Sequence, residues 1–240
     1  MPTLQADELV QSLAEAAYHE LHRLITTGQL DPGRMLAERT LCDKLGMSRT
    51  PVRQALHRLV VEGLLEAEPN RGVRVREYST EDILGLCIVR EALEGQAVRY
   101  AAPRITDEEL DGLRDLCTAM ETVPTEDPAE YAFRFRELDV QFHQRIVDLS
   151  GVPVLIDHYR RHHIAARQIL GWHATRAPLA LQAQRARAQA SDKNHRLLVE
   201  ALATRDPARA ETELRRQTQD YIARMLDDVN RLHLAEEKFL

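Results

Sequence analysis

Apolar positions recur at helical spacing in the first segment. Leu9, Leu13, Ala16, Ala17, Leu21, Leu24 and Ile25 form one stripe and predict a helix over residues 8–27. The pattern stops near Gly28, and Asp31-Pro32-Gly33 has turn chemistry. A short helix is expected over 36–46, stopped by Gly46. A third begins after Ser48, a residue suited to an N-cap, with Pro51 in the first turn, where a missing N–H costs nothing. Its stripe is Val52, Leu56, Leu59 and Val60, and Gly63 closes it. Two short runs then flank Pro69-Asn70-Arg71-Gly72, the pattern of a β-hairpin. Residues 8–77 therefore read as a helix-turn-helix followed by a wing.

After Tyr78 only helical periodicity is found. Helices are expected at about 80–102, 107–122, 128–150, 152–172, 178–204 (broken near Ser191) and 207–232. Ser79 with Asp82 and Thr106 with Glu109 have capping-box spacing, which sets two of the starts. The fold class expected is mostly α. It has an N-terminal winged helix-turn-helix with a small β-hairpin wing (8–77), then an all-α antiparallel bundle of six or seven helices (78–235).

Composition supports this. Aromatic residues are 5% of the 240, so β-branched and aromatic enrichment is missing. No apolar run approaches the ~20 residues of a membrane span, and "MPTLQADELV" lacks the features of a signal peptide. The three cysteines have no Cys-x-x-Cys spacing, which points to a reducing compartment and a cytoplasmic setting.

Charge changes the picture more. The chain carries a net −6, yet residues 34–76 hold nine Lys/Arg against five Asp/Glu, whereas 78–240 hold 22 against 27. A basic module on an acidic chain faces an anionic partner, or else presents a solvated basic face. "SRTPVRQALHRL" (48–59) is the focus. Arg49, Arg53 and His57 lie away from the apolar stripe, and Ser48 and Arg49 sit at the helix start. That is the end a recognition helix uses to meet base edges, where arginine forks to guanine. Arg39 on the preceding helix is placed for the backbone or groove edge. Arg71 and Gly72 at the hairpin tip are placed for the minor groove or its phosphates.

Residues 30–75 resemble the winged helix-turn-helix of GntR-type bacterial transcription regulators, on "SRTPVRQAL", "EGLL" and "PNRG". Carried over by position, the resemblance implies DNA contacts from Arg39, Ser48, Arg49, Thr50, Arg53, Arg71 and Gly72.

In the second domain, the stripe Phe135, Leu138, Phe142, Ile146 and Leu149 also carries Asp139 and His143, one turn apart. His195 is in line with Leu198 and Leu202, Gln217 with Leu214 and Tyr221, and Arg90 with Ile83 and Cys87. Buried polar groups must be paired or bind a metal or ligand, so these are either satisfied core residues or a site. Arg90 can fork to an effector carboxylate, or be salt-bridged to Glu94 or Glu137. His158 and His162 form a rival i, i+4 pair, or a partly exposed face.

Residues 79–222 resemble the FCD effector domain of the FadR subfamily, on "IVREALEGQAV", "LDVQFH", "NHRLLVEAL" and "RDPARAETELRRQ". Many members hold a divalent metal (Zn, Ni or Mn) with an Asp, a His four residues on, and two further His. Asp139, His143 and His195 match three of these, and the fourth position falls on Gln217. Three outcomes stay open: three ligands completed by water or effector, a Gln oxygen as ligand, or no metal. The resemblance implies a ligand-responsive regulator, a repressor acting as a homodimer on a palindromic operator in double-stranded DNA. A small carboxylate-type effector would be held near Arg90, His158 and His162. The competing reading is a metal-dependent enzyme using Asp139, His143 and His195, although no His-Glu-x-x-His, Gly-x-Ser-x-Gly or P-loop is present.

Overall fold

The computed structural model describes residues 6–26, 29–69, 71–160 and 181–236. The chain divides into two units, Met1–Tyr78 and Ser79–Leu240.

In the first unit, α1 (Ala6–Thr26) buries Ala17, Tyr18, Leu21, Leu24 and Ile25. The earlier part of the expected stripe does not follow them inward, since Leu13 and Ala16 are exposed. α2 (Glu38–Leu45) buries Leu41 and ends at Gly46, whose φ of 64° is the left-handed conformation that stops a helix. α3 (Arg49–Val61) packs on α1 through Val52, Ala55, Leu56 and Leu59. Burying a side chain such as Leu59 contributes about 1.5–3 kcal/mol, which anchors α3 with its polar face outward.

The wing is a three-stranded antiparallel sheet ordered β1-β3-β2, with β1 Met35–Leu36, β2 Leu65–Glu68 and β3 Gly72–Val75. The expected hairpin is β2–β3. β1 is an addition, because two residues are too few to show a period. It pairs Met35 with Arg74 and Leu36 with Val73, tying the wing to the chain just before α2.

Gly72 has φ 107°, and a Cβ there would stand 2.5 Å from the Leu36 carbonyl oxygen. Gly72→Ala is therefore expected to destabilise the chain by about 2–4 kcal/mol, from backbone strain plus the broken β1–β3 approach. Urea denaturation checks this, and an unchanged midpoint would show that the wing does not need the glycine.

The second unit comprises α4 (Thr80–Ala101), α5 (Asp107–Glu121), α6 (Pro128–Leu149), α7 (described over 153–160), α8 (Leu181–Ala203) and α9 (Pro207–Glu236). Both expected capping boxes form: Ser79 with Asp82 and Thr106 with Glu109. α8 is not broken at Ser191. The surrounding Ala, Gln, Arg and Leu residues are strong helix formers and carry the helix through it. The core centres on Leu113, Met120, Phe142, Leu198, Leu202 and Leu214. α4 packs on α6 and α9, and α8 on α5, α6 and α9. Among the described residues no helix is long and apolar enough to cross a membrane.

Candidate functional sites: a basic surface and a buried Asp-His-His cluster

Arg39, Ser48, Arg49, Thr50, Arg53, Arg71 and Gly72 are all exposed. Two contacts bring their elements together. The Gly72 backbone lies against Leu36 and Ala37, the latter the N-cap of α2, and Arg53 on α3 bonds Glu38 in the first turn of α2. The wing, the α2 start and α3 are thus joined next to Arg39. Ser48 occupies the N-cap position of α3 but makes no capping bond.

The arginines of residues 48–59 differ in their partners. Arg58 donates to Glu15 and Glu62 and stacks 3.7 Å from the Tyr18 ring centroid, so it serves the α1–α3 packing. Arg53 makes a two-pronged bond to Glu38 at 3.0–3.1 Å while its side chain stays 70% exposed. The Glu38 bond and charge raise the Arg53 pKa further above its already high value. In the wing, Arg74 and Arg76 pair with Glu66. Arg39, Arg49 and Arg71 have no ion pair among the described residues. They stand at the α2 start, the α3 start and the wing tip.

In the second unit, α6 and α8 bring Asp139, His143 and His195 together. Asp139 Oδ1 is 3.0 Å from His195 Nε2 and 3.9 Å from His143 Nε2, and the two Nε2 atoms are 3.3 Å apart. Phe142 presents its edge to the His195 ring at 4.6 Å between centroids, wedging it in place. His143 and His195 are buried, and Asp139 keeps 18% of its side chain accessible.

Burial would raise the Asp139 carboxyl, but the bond from His195 and the nearby His143 and Arg90 reverse this and hold it well below the usual carboxylate range. Burial pushes the His195 imidazole down, and Asp139 only partly offsets it. The result is an ionised carboxylate beside an imidazole biased toward neutrality, the protonation states in which both serve as metal ligands.

The donor set fits a divalent cation. Metal–donor distances of about 2.0–2.2 Å require donors roughly 3.0–3.6 Å apart, close to the separations found. Gln217 on α9 is 6% exposed, and its Oε1 has no hydrogen-bond partner among the described residues. A buried amide oxygen without a donor is costly unless a ligand engages it.

Arg90 donates from Nε to Glu94 Oε1 at 2.8 Å, so the ion pair with Glu94 is realised. Burial opposes the Arg90 charge, yet Glu94 more than restores it. Glu94 is 1% exposed. Burial would raise its carboxyl, but Arg90, then His143 and Tyr159, hold it far below the ordinary range.

His158 is exposed and stands apart from the Asp139-His143-His195 group, whereas its neighbour Tyr159 is buried. His162 lies outside the described residues. Glu94 and Tyr159 were missed as site members. Glu94 could have been found, being one turn beyond Arg90 on the same inward stripe.

Comparison with known proteins agrees with this division. The family model "Bacterial regulatory proteins, gntR family" matches residues 13–75, and the FCD domain model matches 86–220. A probable D-xylose utilization operon transcriptional repressor of Paenarthrobacter nicotinovorans is 30% identical over 200 residues, covering 82% of each chain. The Nta operon transcriptional regulator of Aminobacter aminovorans is 38% identical over 119 residues, which span 50% of this chain and 55% of that protein. Among solved structures, McbR/YncC of E. coli aligns over 90% of this chain and 98% of its own, with a TM-score of 0.73 and 25% identity.

Proposed function

The chain belongs to the GntR family of bacterial transcriptional regulators and joins a GntR helix-turn-helix to an FCD domain, a DNA-binding regulator and not an enzyme; from that premise we propose a repressor that binds a palindromic operator as a homodimer and responds to a small organic acid. The observation that carries the DNA reading is the set of exposed arginines without an ion pair among the described residues, Arg39, Arg49 and Arg71, on three adjoining elements. Cations left unpaired by the fold are the groups that phosphates and base edges can take up. Arg49 would read a base edge, with Ser48 and Thr50 beside it. Arg53, Arg39, Arg71 and the Gly72 backbone would fix the register.

The second domain would hold the effector and the dimer contact. Asp139, His143 and His195 would hold a divalent metal, with Gln217 Oε1 or the effector completing the shell. A bound metal supplies Lewis acidity for an anionic ligand. Arg90, whose hydrogen bond among the described residues runs through Nε, would take the effector carboxylate. Effector binding would shift the population of domain arrangements, and with it the match to the two half-sites. DNase protection of the DNA upstream of the gene, with and without organic and sugar acids in the presence of Zn, Ni or Mn, tests this reading. A protected palindrome released by one acid supports it, and absence of any protected site would defeat it.

The outward face of α4 supports the dimer. Gly85, Ile88, Val89, Ala92 and Tyr100 are all exposed on it, with Ile88 at 65%. Exposed apolar residues gathered on one face mark an interface. Glu81 at the start of α4 and Arg104 just past its end have no ion pair among the described residues. A second copy running antiparallel would set acid against base at both ends and bury the small residues at the crossing. Ile88→Arg is expected to turn a dimer into a monomer by light scattering and to weaken operator binding at least 10-fold. A variant that stays dimeric would move the interface elsewhere.

A further inference from the structure

We propose that Glu94 is a positioning residue that sets the tautomer of His143, holding the proton on Nδ1 so that Nε2 is free for a metal. The inference rests on the reading of Asp139, His143 and His195 as a metal site, and it concerns a residue outside that ligand set.

The two imidazoles of the cluster are not equivalent. Both turn Nε2 toward Asp139 and toward each other, at 3.3 Å. An imidazole nitrogen can ligate only if its proton sits on the other ring nitrogen, and that nitrogen then needs an acceptor. His195 Nδ1 is buried with no hydrogen-bond partner among the described residues. His143 Nδ1 faces Glu94 Oε2 at 3.2 Å. That pair is within ion-pair distance, and alignment of the Nδ1–H with Oε2 would complete the hydrogen bond. Glu94 is thus the acceptor available to His143.

The other carboxylate oxygen shows why this carboxylate cannot simply turn away. Oε1 accepts from Arg90 Nε at 2.8 Å and from the Tyr159 hydroxyl at 2.6 Å. These bonds tie α4 and α7 to one buried carboxylate, whose Oε2 faces His143 on α6. The guanidinium can only donate, so an acceptor must stay in the Oε1 position, which leaves Oε2 aimed at His143.

The same constraint makes Glu94→Gln informative. Arg90 and Tyr159 would hold the glutamine oxygen where Oε1 stands. The amide NH2 would then face His143 Nδ1 and donate to it, driving the imidazole proton to Nε2. A substitution that preserves size would therefore invert the tautomer and block the ligating nitrogen. Losing a second-layer partner of this kind lowers metal affinity by about 10–100-fold.

The test combines imidazole nitrogen NMR on the metal-free full-length protein, in the neutral form of His143, with Zn2+ titration by a competing chelator. Wild type is expected to show the Nδ1–H form. Glu94→Gln is expected to show the Nε2–H form and a 10–100-fold weaker Zn2+ affinity. Tyr159→Phe removes an equally buried contact but leaves Arg90 to orient Glu94, so the His143 tautomer should not change. A purely structural role would disturb both variants alike and overturn the proposal. So would a wild-type His143 protonated at Nε2, a result that stands even if Glu94→Gln fails to fold. Wild type that shows the Nδ1–H form yet takes up no Zn2+ would support the role of Glu94 and remove the metal reading alone.

Discussion

Replacing Arg49 with alanine is expected to lower affinity for the operator by roughly 30- to 25,000-fold, while affinity for unrelated DNA changes far less. A forked arginine–guanine contact contributes about 1–3 kcal/mol of discrimination, and a palindrome counts it twice, giving about 2–6 kcal/mol for a dimer. Arg49 is the right residue for this test because it is the first residue of α3, exposed, and without an ion pair among the described residues. Arg53 is a weaker probe: it must share itself between DNA and Glu38, and removing it leaves an unpaired acid beside the phosphates. Arg58→Ala is the control. Its partners are Glu15, Glu62 and Tyr18, so it should lower the melting temperature and spare the ratio of specific to non-specific affinity. Fluorescence anisotropy on operator and scrambled duplexes, at several salt concentrations, separates the two effects. A base contact alters the specificity ratio, whereas a phosphate contact alters the salt slope by about one. Equal losses on both duplexes would mean that Arg49 touches only the backbone.

The paired and unpaired arginines show how far the sequence can be read. Helical spacing placed Arg49 and Arg53 on the polar face of α3, and both are exposed there. It could not show that Glu38, fifteen residues away, would turn back to grip Arg53, because that contact depends on how α2 meets α3. β1 was hidden for a similar reason: its two residues become a strand only through Arg74 and Val73 across the ladder. Elements with long periods or local chemistry, such as α4 and α5 with their capping boxes, were legible to within a residue or two. In the bundle, helical spacing turned Asp139, His143 and His195 inward, and the resemblance joined them as one ligand set. Glu94 was visible only as a partner for Arg90. Its facing of His143 required α4 and α6 to be set side by side. Residue 158 was chosen on histidine chemistry, yet the turn of α7 buries Tyr159 instead.

His143→Ala is expected to weaken divalent-metal binding by about 100- to 1,000-fold, and Gln217→His to strengthen it by at least about 10-fold. Four-ligand zinc sites are worth about 10–16 kcal/mol, or roughly 2.5–4 kcal/mol per ligand, which sets the size of the loss. The gain follows from what stands at Gln217. Its Oε1 is buried without a donor among the described residues, so replacing it costs no bond to that oxygen, and an imidazole is a better ligand for Zn2+ or Ni2+ than an amide oxygen. The proposed wild-type donors would be two imidazole nitrogens, a carboxylate oxygen and at most an amide oxygen, a set more tolerant of Mn2+ than three imidazoles would be. Gln217→His should therefore shift preference toward Zn2+ and Ni2+ as well as raise affinity, both read by competition against a chelating dye. Gln217→Ala then decides who completes the shell. An amide oxygen that ligates directly makes this variant lose affinity without effector. A site closed by water or by the effector leaves metal affinity unchanged and confines the loss to effector binding. If His143→Ala retains wild-type metal content, the cluster is a buried ion-pair network and the domain senses its ligand without a metal.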